Sequence, residues 1–389
     1  RPSSRTERKR SRIPVSRILL LVLSTALVMR APINALGPVA EDVIETLGFG
    51  YAVYGFVAAL PIFLFGLMSP VVSRLLRRFS GERLFLAGLL LLIFGCWARG
   101  ADDPLLFIAG TLVMGFGITQ LNVLMPAVIK TGFKEKWPVM MSVYAALIGL
   151  SGAAGVALST PLALATGDYS TSLRFWSFAA IPALLILLTL RRGFVPPEAA
   201  SAPEEKRPSF SPWLVATLVV LTGLQAALNS TMSLWLPAAF TARGLTASQA
   251  GTIVTVLLLA SIAGSFAVPT LTKLFPRFTP RVLATAAVFA LLFLFPDALP
   301  PLLTALIAGF AQGVFVAESF AMPAKKTEGF ARLVALSGRV QCGGYVLAGV
   351  GPFLTGGVVE LLSVSAVPTL LTVFALLWGL FAVLAERAR

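Results

Sequence analysis

The chain has 389 residues, of which 57% are hydrophobic and only 12% charged, against roughly 45–50% and 25% in soluble domains, so a soluble globular protein is excluded. A net charge of +14 would point to nucleic acid in a soluble protein, but here the basic residues read as membrane-topology signals and no nucleic-acid partner is expected. Histidine is absent, which removes imidazole ligands, histidine proton relays and serine–histidine triads.

The opening RPSSRTERKRSRIPVSR is basic and polar, and the apolar run after it lacks a small-residue cleavage site. Residues 1–17 therefore read as a cytoplasmic tail ahead of a first membrane helix rather than a signal peptide. Apolar stretches of about 20 residues, enough to cross a bilayer, recur twelve times: 18–39, 50–72, 84–101, 105–128, 138–165, 174–191, 213–238, 249–271, 282–297, 301–323, 334–358 and 366–385. With twelve spans both ends share one side. Placing that side in the cytoplasm puts 26 of the 31 basic residues there; Arg99, Arg174 and Arg243 fall opposite, and Arg30 and Arg339 lie inside spans. So lopsided a split fits the positive-inside rule.

The polar stretch RRGFVPPEAASAPEEKRPSFSP at 191–212 reads as a flexible linker. It divides the chain into an N-terminal bundle 18–191, a linker 192–212, a C-terminal bundle 213–385 and a cytoplasmic tail 386–389. The two halves repeat weakly. SRLLRRFS at 73–80 matches TKLFPRFT at 272–279, MPAVIKTGF at 125–133 matches MPAKKTEGF at 322–330, and RAPIN at 30–34 matches QAALN at 225–229, at nearly constant offset. The expected fold is an all-α membrane protein: twelve transmembrane helices in two pseudo-symmetric six-helix bundles, with a site between them near the midplane.

Arg30 stands about a dozen residues into the first span, where a guanidinium costs roughly 2.5–3.5 kcal/mol on insertion scales. Its readings are substrate contact or a structural role. A planar fork of donors with a permanent charge suits a small anion with two acceptor atoms. Asn34 follows on the same helical face, and Gln225 and Asn229 repeat that spacing in the seventh span, so these four side chains are candidates for a shared substrate site. Glu318 and Arg339 lie at one depth in consecutive spans. They read either as a buried ion pair or as a proton-exchanging carboxylate with an arginine that senses it or binds substrate. Asn122 and Gln312 are further candidate substrate contacts, and Gln120 and Gln341 are polar residues of the same kind; each serves equally as interhelical glue. Cys96 and Cys342 lie in apolar segments and suggest neither disulfide nor metal. No Walker loop or metal-ligand cluster is present, so no catalytic residue, metal or cofactor is expected and the chain does not read as an enzyme.

RAPINALGPV, LPIFLFGLMSPVVSRLLRRFSGERL, GFGITQLNVLMPAVIKTGF, GLQAALNSTMSLWLPAAFTARGLTASQAG and QCGGYVLAGVGPFLTGG cover both halves. They resemble the major facilitator superfamily and, more narrowly, its cyanate permease and nitroimidazole transporter branch. The resemblance implies a secondary transporter of the bacterial inner membrane that works as a monomer by alternating access. It would carry a small anion, cyanate-like or a related organic anion. The second implied reading is efflux of a small drug such as a nitroimidazole, with Glu318 coupling export to protons. A reading from another class, a non-transporting sensor or scaffold, has no soluble signalling domain to support it. Small-molecule anion, protons and membrane lipid are the expected partners. The family's loop between its second and third helices usually carries Gly-x-x-x-Asp-Arg. Here Ser69, Ser73 and Arg74 stand in those places, so in a gating loop of Arg74, Arg78 and Glu82 the usual acid is either absent or replaced by Glu82.

Overall fold

In the computed structural model the described residues are 15–76, 78–190, 209–328 and 330–388. Most of the expected basic tail 1–17 and linker 192–212, and the last residue of the tail 386–389, lie outside them. Among the described residues the chain is helical throughout its regular structure. Three short helices, α1 (Val15–Ala26), α2 (Ala31–Asn34) and α3 (Ala40–Leu47), make up the first crossing. They are followed by α4 (Tyr51–Leu75), α5 (Gly81–Ala98), α6 (Pro104–Phe133), α7 (Trp137–Thr166) and α8 (Tyr169–Thr189). Beyond the linker come α9 (Pro212–Thr241), α10 (Ala247–Leu274), α11 (Phe278–Leu294), α12 (Pro301–Lys325), α13 (Phe330–Leu361) and α14 (Val367–Arg387). Eleven segments are long and apolar enough to cross a membrane, counting Val15–Leu47 as one. The expected ninth span is the apolar but shorter α11, 17 residues. At 1.5 Å per residue it reaches about 26 Å, slightly less than the ~30 Å hydrocarbon core.

Most of these helices are apolar all round, so caps and punctuation set their ends. Ser80 caps α5, Asp168 caps α8, and Thr246 with Gln249 forms a capping box on α10. The first crossing departs from expectation: it is not one helix over 18–39. After Ala26 the chain opens for four residues and resumes at Ala31. Pro32 explains the break, because it has no N–H to return to the preceding turn and its ring crowds the carbonyl four residues back. At the repeat-equivalent place α9 has Ala227, and α9 runs unbroken from Pro212 to Thr241.

In the first half α6 packs on α4 and α5, α5 also packs on α8, and α2 lies on α7; in the second, α10 packs on α12, α11 on α14, and α9 on α13 and α14. Across the halves α4 lies antiparallel against α13, and α7 against α10. The fit at the end remote from the chain termini is backbone-close: a Cβ at Gly55 would stand 2.6 Å from the Pro352 carbonyl, and one at Gly37 only 2.1 Å from that of Ser233. There Trp235 donates from Nε1 to the Pro352 carbonyl at 3.1 Å, and the Glu360 carboxylate accepts from the Ala52 N–H at 2.8 Å, capping the start of α4. Toward the terminal end α13 loosens. Gly338 has open space around its Cα, and Arg339 and Gln341 are exposed.

Candidate functional site

The break in the first crossing leaves backbone groups of 27–31 without helical partners. Ser151 of α7 takes them over. Its hydroxyl donates to the Leu27 carbonyl at 2.7 Å and accepts from the N–H groups of Arg30 and Ala31 at 3.2 and 3.0 Å, using the full capacity of one hydroxyl. Asn34 donates to the Gly152 carbonyl at 3.3 Å, and the backbone of α2 at Ala31 lies against Gly155. Ser151→Ala strands three main-chain groups at once and is expected to cost about 2 kcal/mol, read as a lower melting temperature of the purified protein in detergent.

Arg30 is therefore not a residue inside a continuous helix: it sits in the break, at the N-cap of α2. Its guanidinium carbon lies 4.8 Å from the centre of the Phe65 ring, a cation–π distance. Phe65 meets Tyr345 of α13 edge to face at 5.6 Å. Tyr144, whose hydroxyl reaches Met29 Sδ at 3.2 Å, lies within electrostatic reach of both Arg30 and Tyr345. Arg30 is half-buried, and among the described residues its guanidinium has no carboxylate and no hydrogen-bond acceptor. The amides of α2 are spent: those of residues 30 and 31 go to Ser151, Pro32 has none, and those of Ile33 and Asn34 go to the Arg30 carbonyl. A helix start would ordinarily attract an anion; here the free donors belong to the side chain.

Of the other expected contacts, Gln225 and Gln312 are engaged with each other. Gln225 is buried and, through its main-chain carbonyl, accepts from Gln312 Nε2 at 3.1 Å, which makes the pair an α9–α12 tie. Asn229 and Asn122 are half-buried and carry no internal hydrogen bond among the described residues. Arg74 and Arg78 are exposed at the end of α4, and Glu82 lies in the first turn of α5.

Glu318 does not meet Arg339. Its buried carboxylate accepts from Arg281 Nη2 at 2.6 Å and Lys325 Nζ at 2.9 Å, while Arg339 lies over the Phe210 ring at 5.2 Å. Equal depth fixed the height of the two side chains but not their direction around the helix axes. Arg281, taken for a loop residue by a span starting at 282, belongs to the first turns of α11, which starts at Phe278.

Arg99 was expected at the surface opposite the termini, near the end of the 84–101 span. It is instead 1% exposed, donating from Nη1 to the Pro32 carbonyl at 2.7 Å and to Met114 Sδ at 3.0 Å, and lying 5.7 Å from the Phe107 ring centre. It braces the first crossing just past the break. No sequence signal pointed to Ser151, Phe65, Tyr144 or Tyr345. Pro32 directly after the Arg30–Ala31 pair was the one available hint that a partner for stranded amides was needed.

Residues 19–306 match the family model described as Major Facilitator Superfamily. The transporter YycB of Bacillus subtilis strain 168 is 28% identical over 92% of this chain and 90% of its own. The 2-nitroimidazole transporter of Escherichia coli K12 is 27% identical over 94% and 96%, and the cyanate transport protein CynX of the same organism is 25% identical over 87% and 89%. Among solved structures, a bacterial homologue of the human lysosomal transporter Spinster, captured inward-facing and unoccupied, superposes with a TM-score of 0.71 over 96% of each chain at 16% identity. That likeness concerns the fold alone.

Proposed function

Because this chain belongs to the Major Facilitator Superfamily, we propose that it is a secondary transporter that binds a small anion at Arg30 and carries it by alternating access. The observation that carries this reading is the uncompensated guanidinium at the break of the first crossing, part-exposed and, among the described residues, free of any internal acceptor. A permanent positive charge at membrane depth without a partner is costly, and an anionic substrate supplies the missing partner. Asn34, Asn229 and Asn122 are the amides nearest in kind to complete its hydrogen bonds.

Twelve spans form two six-helix bundles in this reading, with α11 as the shortest span and both termini in the cytoplasm of a bacterial cell. The closed end described above then faces outward, and the substrate path opens toward the basic, terminal side. The names of the relatives supply two solutes to test, cyanate and a 2-nitroimidazole. A planar nitroheterocycle is the second reading: its nitro oxygens can accept from the guanidinium beside the Phe65 ring.

The test is uptake into proteoliposomes of purified protein, with labelled cyanate and labelled 2-nitroimidazole offered separately and Arg30→Gln run beside the wild type. Saturable cyanate uptake abolished in the variant supports the anion reading. Nitroimidazole flux with no cyanate flux selects the drug reading. Flux that survives Arg30→Gln unchanged removes Arg30 from the site.

A further inference from the structure

Helices α10 and α11 are consecutive in the chain yet make little contact with each other; each packs instead on α12. The gap between them is a groove of about 580 Å³. Leu274 of α10 and Val288 of α11 stand on its walls and Phe310 of α12 on its floor, with the loop residue Phe275 at one end. Leu274, Val288, Phe310 and Phe275 are 67%, 46%, 38% and 60% exposed, so the groove opens on the outer surface.

Its loop end is basic. Arg277 is exposed at the N-cap of α11, where no side chain caps the helix start. Arg281 also lines the groove; it is 7% exposed and its Nε has no hydrogen-bond partner. Lys325 stands beside Arg281 on the carboxylate that both share. The acids facing this corner are Glu318, held between Arg281 and Lys325, and Glu386, which accepts from the Thr279 hydroxyl. Arg277, Arg281 and Lys325, three cations, thus stand against these two carboxylates, and the start of α11 adds its positive end. From Arg277 to Val288 the α11 wall rises about 16 Å at 1.5 Å per residue, close to one leaflet of a ~30 Å hydrocarbon core.

We propose that this groove holds one anionic phospholipid, its phosphate on Arg277 beside the Arg281 corner and an acyl chain along Leu274, Val288 and Phe310. A soluble solute would not match a one-leaflet apolar trough with charge at a single end, whereas a lipid matches both its length and its polarity. The occupant also explains why α11 can be short: a bound lipid fills the space left between it and α10.

The test is native mass spectrometry of the purified protein titrated with phosphatidylglycerol or phosphatidylcholine of identical chains. Wild type is expected to retain phosphatidylglycerol preferentially. Arg277→Ala should weaken that retention about fivefold, the worth of one interfacial charge, and leave phosphatidylcholine unaffected. Ala284→Trp, at an exposed groove position, should displace both lipids by filling the acyl path. Equal retention of the two headgroups by wild type, or retention indifferent to both variants, overturns the proposal. Displacement of the lipid by millimolar inorganic phosphate would make the corner a free-anion site and overturns the lipid assignment as well.

Discussion

Arg30→Lys is expected to lower anion uptake by roughly one to two orders of magnitude, the worth of about one charge-assisted hydrogen bond, while leaving the melting temperature close to that of the wild type. The substitution keeps the charge, so a site that needs only a positive field should tolerate it. What it removes is the planar fork. An ammonium is a compact, strongly hydrated point charge that cannot bond two acceptor atoms in one plane. It also gives up the guanidinium's contact with Phe65, whose ring centre lies 4.8 Å from the guanidinium carbon. The backbone cannot compensate, because the amides at the start of α2 already bond to Ser151 and to the Arg30 carbonyl. The experiment is initial-rate uptake in proteoliposomes at matched protein density, with the melting temperature taken on the same preparation. Near-normal uptake would show that the fork is not used and that Arg30 serves the field or the fold.

Much of the architecture was legible because it rests on apolar length and charge asymmetry, which a sequence displays directly. The three repeats fall on equivalent elements: the α4–α5 and α10–α11 corners, the ends of α6 and α12, and the middles of the first and seventh crossings. Interior partnerships were not legible, and the reason is rotational. In a soluble helix one apolar stripe fixes which face turns inward. Most of these helices are apolar on every side, so a polar residue reveals its depth and conceals its direction. Glu318 and Arg339 share a depth and face different neighbours. Arg99, read as a surface charge two residues from the end of its span, turns inward onto the Pro32 carbonyl. Ser151 is 121 residues from the amide of Arg30 that it satisfies, and no local pattern marks one serine among several as that partner. Arg30 was legible because its cost in a membrane does not depend on direction.

Glu318→Gln is expected to be the most damaging single change outside the Arg30 region. The carboxylate is 1% exposed and bonded to Arg281 and Lys325, whose side chains are 5% and 45% exposed. Lys325 can turn to solvent when its partner is neutralised. Arg281 cannot: it is buried with Nε already unpartnered, and its remaining bond is to the Phe275 carbonyl at 2.7 Å. Removing one member of a buried ion pair leaves an uncompensated charge and costs about 3–5 kcal/mol. The melting temperature in detergent should fall clearly. Replacing the pair together, Glu318→Leu with Arg281→Met, removes the orphaned charge and should recover most of the loss, since packed apolar residues commonly match or exceed a buried ion pair. This double variant also separates the two roles open to Glu318. A carboxylate that only ties α11 to α12 leaves uptake by the stabilised double variant responsive to an imposed proton gradient, as in the wild type. A carboxylate that exchanges the coupling proton leaves a variant that is stable, binds substrate, and no longer responds to that gradient.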